Sequence, residues 1–305
     1  MTDWRIWLMA ARPRTLPAAI APVLVGSAAA FFEMQRRADF RWLALIAALV
    51  GSIFIQIGTN LANDYSDAKR SADTADRLGP VRVSSSGLVA PRRVLVATWI
   101  AFAVAVAAGI YLATVAGVVI LIVGAASILA GVLYTGGPRP YGYAGLGELF
   151  VFLFFGVVAV NGSYYVQLES LDWLPFGLSL SVGFLATAIL VVNNVRDVET
   201  DRRAGKLTLA VRLGRGRTRD LYVGLVAAAF ITVPIALLLS VEDPFAADGT
   251  AWGLLALLAA PLARRPLEAV LTRTDGPSLN AALAGTGALL AGFSALLAAG
   301  LLIAA

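Results

Sequence analysis

Cysteine and histidine are both absent from the 305 residues, and only 14% of the chain is charged. Without cysteine there are no disulfides, thiolate nucleophiles, iron–sulfur ligands or covalently attached c-type haem. Without histidine there is no imidazole acid–base chemistry and no His-ligated zinc or haem. Chemistry is left to carboxylates, amides, hydroxyls, Lys and Arg, and to a hard cation held through oxygen. What is abundant is apolar sequence, at 59% of residues with a mean hydropathy of +0.81. A soluble domain carries about 45–50% apolar and about 25% charged residues. The composition therefore points to an all-α, polytopic membrane protein.

A hydrocarbon core of about 30 Å needs about 20 apolar residues per helix. Nine segments are expected to cross: 16–32, 42–62, 94–114, 115–134, 146–167, 174–194, 221–240, 251–263 and 279–303. The eighth is the weakest, because Pro261 and the Arg264-Arg265 pair cut it short. With the N-terminus cytoplasmic, 21 of the 24 Lys and Arg fall inside and only Arg36, Arg37 and Arg41 fall outside. Acidic residues divide less sharply, 12 inside and 7 outside. This obeys the positive-inside rule, which counts Lys and Arg rather than net charge. The formal charge of +5 is thus a topological signature in a cell membrane, and no nucleic-acid partner is expected. The same count puts the C-terminus outside. Trp4 and Trp7 read as an interfacial anchor, and no N-terminal signal peptide is evident. The chain reads as one integral-membrane unit over 1–305, with charged cytoplasmic loops near 63–93 and 195–220. Each loop follows an even-numbered span, a weak hint of internal duplication. Gly- and Ala-rich spans such as 279–300 suit close helix packing and leave self-association open.

The chemistry-bearing residues gather where the second and sixth spans end. The first cluster runs from Asn60 through Asn63, Asp64, Asp67, Lys69 and Arg70 to Asp73, with Asp76, Arg77 and Arg82 beyond. If the helix continues, Asn60, Asn63 or Asp64, and Asp67 share a face. The second holds Asn193, Asn194, Arg196, Asp197, Glu199, Asp201, Arg202, Arg203 and Lys206. Asp197 and Asp201 again share a face, and Glu199 points elsewhere. A charged helix end is most often a solvated surface. Two such clusters on the same side are harder to dismiss, because carboxylates at helical spacing repel unless a cation sits between them. Mg2+ takes one or two carboxylates and shares its other positions with water and phosphate oxygens. Lys69, Arg70, Arg77, Arg82, Arg202, Arg203 and Lys206 suit those phosphates. A Mg2+–diphosphate site at the mouth of an apolar bundle suggests a lipid diphosphate as substrate. Phe150, Phe152, Phe154, Phe155 and Gly156 are candidates to line its tail channel, although ordinary packing is the commoner role for each.

The pattern Asn63-x3-Asp67-x5-Asp73, then Asn193-Asn194-x-Arg196-Asp197-x3-Asp201-x2-Ala204-Gly205-x2-Thr208-Leu209-Ala210, resembles the UbiA-type intramembrane prenyltransferases. Arg12-Pro13-Arg14-Thr15-Leu16-Pro17, Arg77-Leu78-Gly79-Pro80-Val81-Arg82, Tyr134-Thr135-Gly136-Gly137-Pro138-Arg139-Pro140 and Gly147-Glu148-Leu149 agree. The resemblance covers about residues 4 to 300. It is strongest to the menaquinone branch, whose acceptor is 1,4-dihydroxy-2-naphthoate. The 4-hydroxybenzoate branch places an Asp where Ser71 stands here. The resemblance implies nine helices around a central cavity, with Asn63, Asp64, Asp67, Asp73, Asp197 and Asp201 holding Mg2+ and the diphosphate directly or through water. Of these, it implies Asp67, Asp73, Asp197 and Asp201 as the catalytic acids. It implies Asn60, Asn193, Asn194 and Tyr134 as supporting partners, and Lys69, Arg139 and Lys206 as diphosphate contacts beside Arg70, Arg77 and Arg82. The implied reaction joins a polyprenyl diphosphate to the naphthoate with loss of CO2 and diphosphate, giving demethylmenaquinol. Asp73, Asp76 and Tyr134 stay open as candidates for a base. The segment 63–93 is a candidate lid, and equally a structured surface connection.

Other readings compete. Gln56, Asn161 and Gln167 could line a transport path, but the span centres carry no Lys, Arg or Asp. A CDP-alcohol phosphotransferase would show an Asp-Gly-x2-Ala-Arg motif, which is missing. Within the prenyltransferases, 4-hydroxybenzoate or homogentisate is the alternative acceptor.

Overall fold

In the computed structural model, residues 3–34, 37–70, 78–240 and 250–305 are described. They are helical throughout their ordered elements, with no strand among the described residues. A short α1 (Asp3–Ala11) leads through a 3-10 turn at Pro13–Thr15 into α2 (Pro17–Glu33). The two meet at a 53° bend. Pro13 and Pro17 cannot donate backbone hydrogen bonds, and Arg12 takes a left-handed φ of 54°, so a straight helix cannot pass through. Trp4, Trp7 and Leu8 on α1 are exposed. Then follow α3 (Trp42–Lys69), α4 (Pro91–Ala116), α5 (Val119–Leu133), α6 (Gly147–Leu168), α7 (Trp173–Arg203) and α8 (Leu209–Leu239). A 3-10 segment at Thr250–Ala259 runs into α9 (Ala260–Thr272), and α10 (Gly276–Ala304) closes the chain.

Six of these helices, α3, α4, α6, α7, α8 and α10, are long and apolar enough to cross a membrane, and the bent α1–α2 pair makes a seventh. The expected count of nine is not reached on that criterion. At 1.5 Å per residue, the 15 residues of α5 reach only about 22 Å. The eighth expected span is split between 3-10 and α geometry ahead of Arg264 and Arg265.

The charged segments are also less loop-like than charge density suggests. α3 continues to Lys69 and α7 to Arg203, so Asn60 to Lys69 of the first cluster and Asn193 to Arg203 of the second ride on unbroken helices. α7 is the core helix, with Leu178, Val182, Leu185, Val191, Val192 and Val195 fully buried against α2, α8 and α10. Midway along α6 a π-helical stretch, Phe152–Val158, re-phases the helix. It brings Gly156 so close to α7 that a Cβ there would come within 2.6 Å of the Gly183 Cα.

Candidate active site

The ends of α3 and α7 frame one mouth of a cavity of about 260 Å3. Its polar end carries Arg12, Thr15, Asn60, Asn63, Arg82, Tyr134 and Asn193. Its apolar part is built from Ala18, Pro22, Phe150, Phe154, Phe155 and Ile189. Phe152 and Gly156, expected with them, turn away. Phe152 packs on Phe184 at 5.0 Å between ring centroids, and Gly156 is spent on the contact with α7.

Among the described acids of the first cluster Asp67 is the most enclosed, 1% exposed. An Arg82 nitrogen lies 2.6 Å from its Oδ2, Lys206 Nζ lies 3.7 Å away, and the Tyr143 hydroxyl donates to Oδ1. Burial, reinforced by Asp67, pushes the Tyr143 phenol well above the ordinary tyrosine value. It therefore stays a proton donor across the physiological range. Lys206 also sits over the Tyr143 ring, 4.9 Å from its centroid. Gly205, at φ +72°, makes the left-handed turn that ends α7 and sends Lys206 back toward Asp67.

Asn63 and Asp64 divide the neighbouring work. Thr135 donates to Asn63 Oδ1 at 2.8 Å, and Arg82 donates to the Asn63 carbonyl at 3.0 Å. Asp64, expected among the metal ligands, instead faces the 82–86 turn. Its Oδ2 accepts from Val83 N at 3.0 Å and its Oδ1 from Ser84 N at 3.3 Å. The reason is local: a turn without intrahelical partners needs acceptors for its buried N–H groups, and Asp64 is the acid within reach. Asn60 ties down the α1–α2 bend by donating to Ala11 O at 3.0 Å and Thr15 Oγ1 at 3.2 Å.

In the second cluster, Arg196 folds back on its neighbour. It donates to both Asp197 oxygens at 2.8 and 2.6 Å, to Asn193 Oδ1 at 2.7 Å and to Asn280 Oδ1 at 2.6 Å. Asn194 faces away from the cavity and donates to buried Glu148 at 2.8 Å. Asp201 is half-buried, and together with Asp67 and Glu148 it lies within electrostatic reach of Tyr134. Lys69, Arg70 and Arg139 are exposed, and Arg70 donates to the Gly137 carbonyl. Asp73, Asp76 and Arg77 lie outside the described residues. Among the described residues no three acids converge as a preformed metal cluster.

Residues 19–269 match the UbiA prenyltransferase family. The chain belongs to that family. A Mycobacterium tuberculosis protein named 1,4-dihydroxy-2-naphthoate octaprenyltransferase is 45% identical over 287 residues, covering 94% of this chain and 93% of its own. The Escherichia coli protein of that name is 37% identical, covering 93% of this chain and 91% of its own. In fold, the chain is similar to an Archaeoglobus fulgidus UbiA homologue bound to GPP and Mg2+, with a TM-score of 0.64 at 16% identity, covering 96% of this chain and 99% of that one. Family membership and the long apolar helices make this a multi-pass membrane protein.

Seen as a UbiA protein, the chain has functional candidates that motif reading passed over. Tyr143 and Asn280 carry no motif signal of their own. Glu148 and Arg196 were quoted within matching stretches but given no role. Gln56 was weighed as part of a transport path; it lines the cavity and donates to Thr15 Oγ1 at 3.1 Å.

Proposed function

We propose that this UbiA protein transfers a polyprenyl group from an allylic diphosphate to 1,4-dihydroxy-2-naphthoate, releasing CO2 and diphosphate. The observation that carries the reading is the position of Asp67. It is a buried carboxylate on which Arg82, Lys206 and Tyr143 converge, beside an apolar cavity. Two relatives named for this activity support the choice of acceptor.

The donor set fits a hard cation: every candidate is a carboxylate or amide oxygen. Amides of both clusters, Asn63 and Asn193, line the cavity, and Asp67 and Asp201, one from each cluster, lie within electrostatic reach of Tyr134 in its wall. Asn63, Asp67, Asp197 and Asp201 would hold Mg2+, with Asp73 as a further candidate. Bound Mg2+ supplies charge neutralisation for a leaving diphosphate. Arg82 and Lys206 exchange Asp67 for phosphate oxygens when the diphosphate arrives, a charge-assisted contact of similar strength. Phe150, Phe154 and Phe155 take the isoprenoid and exclude water from the allylic centre. The bond from the allylic carbon to the bridging oxygen breaks, and the ring carbon bearing the carboxylate forms the new carbon–carbon bond. Loss of CO2 restores the aromatic ring, so no ring proton needs a base. The positive-inside count supports a cytoplasmic mouth in the cell membrane. Nine crossings, with the whole chain as one unit, belong to this reading: the apolar Val119–Leu133 and the helical stretch 250–272 would be the two beyond the seven counted by length and composition.

The test uses purified protein, Mg2+, an all-trans polyprenyl diphosphate and carboxyl-labelled 1,4-dihydroxy-2-naphthoate. Prenylated product with loss of label, stopped by chelation, is the expected result. Product from 4-hydroxybenzoate alone would move the acceptor, and no product from either would overturn the reading.

A further inference from the structure

Among the described residues, Arg196 is the largest side chain that is fully buried. A guanidinium in that position is tolerable only with its N–H groups partnered. Asp197 and Asn193 come from its own helix, but the third partner, Asn280, comes from the first turns of α10. Asn280 has a second contact: its Nδ2 donates to the Leu78 carbonyl at 3.0 Å. The amide orientation is forced, since a guanidinium needs its oxygen and a carbonyl needs its nitrogen. Leu78 also packs over the N-terminus of α10, where a Cβ on Gly276 would lie 3.0 Å from the Leu78 oxygen.

Four residues beyond Leu78 stands Arg82. The backbone just after it, Val83 N and Ser84 N, is fastened to Asp64. The Arg82 segment is thus tied at both ends, once to each motif-bearing side of the site. Pro80 between the ties restricts the backbone further.

We propose that Asn280 is a positioning residue for the diphosphate site. By joining Arg196 to the Leu78 carbonyl, it holds the Arg82 segment against the second acidic motif. The proposal rests on the diphosphate reading above, and its test separates the two. Wild type, Asn280→Ala and Asn280→Asp are compared in detergent. Asn280→Asp keeps an oxygen for Arg196 but has no donor for Leu78 O. Hydrogen exchange over 78–86 is followed without substrate, and kcat and both KM values are measured with polyprenyl diphosphate and 1,4-dihydroxy-2-naphthoate.

Asn280→Ala should raise the diphosphate KM about 10-fold, the scale of a lost hydrogen bond to a charged group. The acceptor KM should stay within about twofold, and exchange over 78–86 should rise. Asn280→Asp should raise exchange similarly and the diphosphate KM about 3-fold, the share of the neutral bond to Leu78. An unchanged diphosphate KM in both variants overturns the proposal even if exchange rises, because the tie would then be structural only. Equal losses in kcat and both KM values overturn it as well. If wild type shows no Mg2+-dependent turnover of the diphosphate, the functional reading fails and this role for Asn280 fails with it.

Discussion

The two acidic motifs share a pattern of amides and carboxylates at helical spacing, yet the protein packs them in opposite ways. At the end of α3, the acids are satisfied from a distance: Arg82, Tyr143 and Lys206 for Asp67, and the 82–86 turn for Asp64. At the end of α7, Asp197 is satisfied by the residue beside it, Arg196. The first motif is therefore a docking point for other segments, and in the proposed reaction its cations trade a carboxylate for a phosphate. The second is a preassembled unit on the core helix, whose cation is locked in place. Similar sequence patterns here serve an adaptable half and a rigid half of one site.

The largest expected effect breaks both halves at once. Asp67→Asn and Asp197→Asn should each lower kcat by about 10²–10³, as for loss of one strong electrostatic contact in an active site. Removing Mg2+ by chelation should abolish turnover in the wild type, with recovery on adding the ion back. Truncation to Ala then separates the halves. Asp197→Ala strands the fully buried Arg196 and should cost about 3–5 kcal/mol in thermal or denaturant unfolding. Asp67→Ala should cost less stability, because Arg82 and Lys206 can turn to the cavity. Equal destabilisation would erase the distinction between adaptable and rigid halves.

Next in size, Arg82→Met and Lys206→Met should raise the diphosphate KM by about 10-fold and leave the acceptor KM near wild type. Asp64→Ala should cost about 1–3 kcal/mol by leaving buried N–H groups unpaired. Mg2+ affinity, read by titration, should remain; its loss would return Asp64 to the ligand set. The smallest effect lies at the opposite end of the bundle. There the partly exposed Arg41–Glu169 pair, at 2.8 Å, should contribute at most about 1 kcal/mol, read from Glu169→Gln.

Both motif helices were legible because their signals are local. The acids recur at helical spacing within one turn or two, and the apolar runs before them are long enough to span. Asp64 shows where that logic stops. Spacing places it on the same face as Asp67, but its partner is a backbone turn 19 positions away that no periodicity announces. Phe152 and Gly156 were grouped with the channel candidates by composition alone. Phe152 packs on Phe184 and Gly156 meets α7, the ordinary packing role that was the commoner expectation for each.

The sequence by itself determined the membrane setting, the helical class, the family and the two acidic motifs, because composition, run length and short spacings are properties of the chain. The tertiary structure alone decided which cation meets which carboxylate, that Tyr143 joins Asp67 across 76 positions, and that Asn280 reaches Leu78 across 202. Those pairings follow from how helices pack and where their connections return. They exist only once the bundle has closed around its cavity.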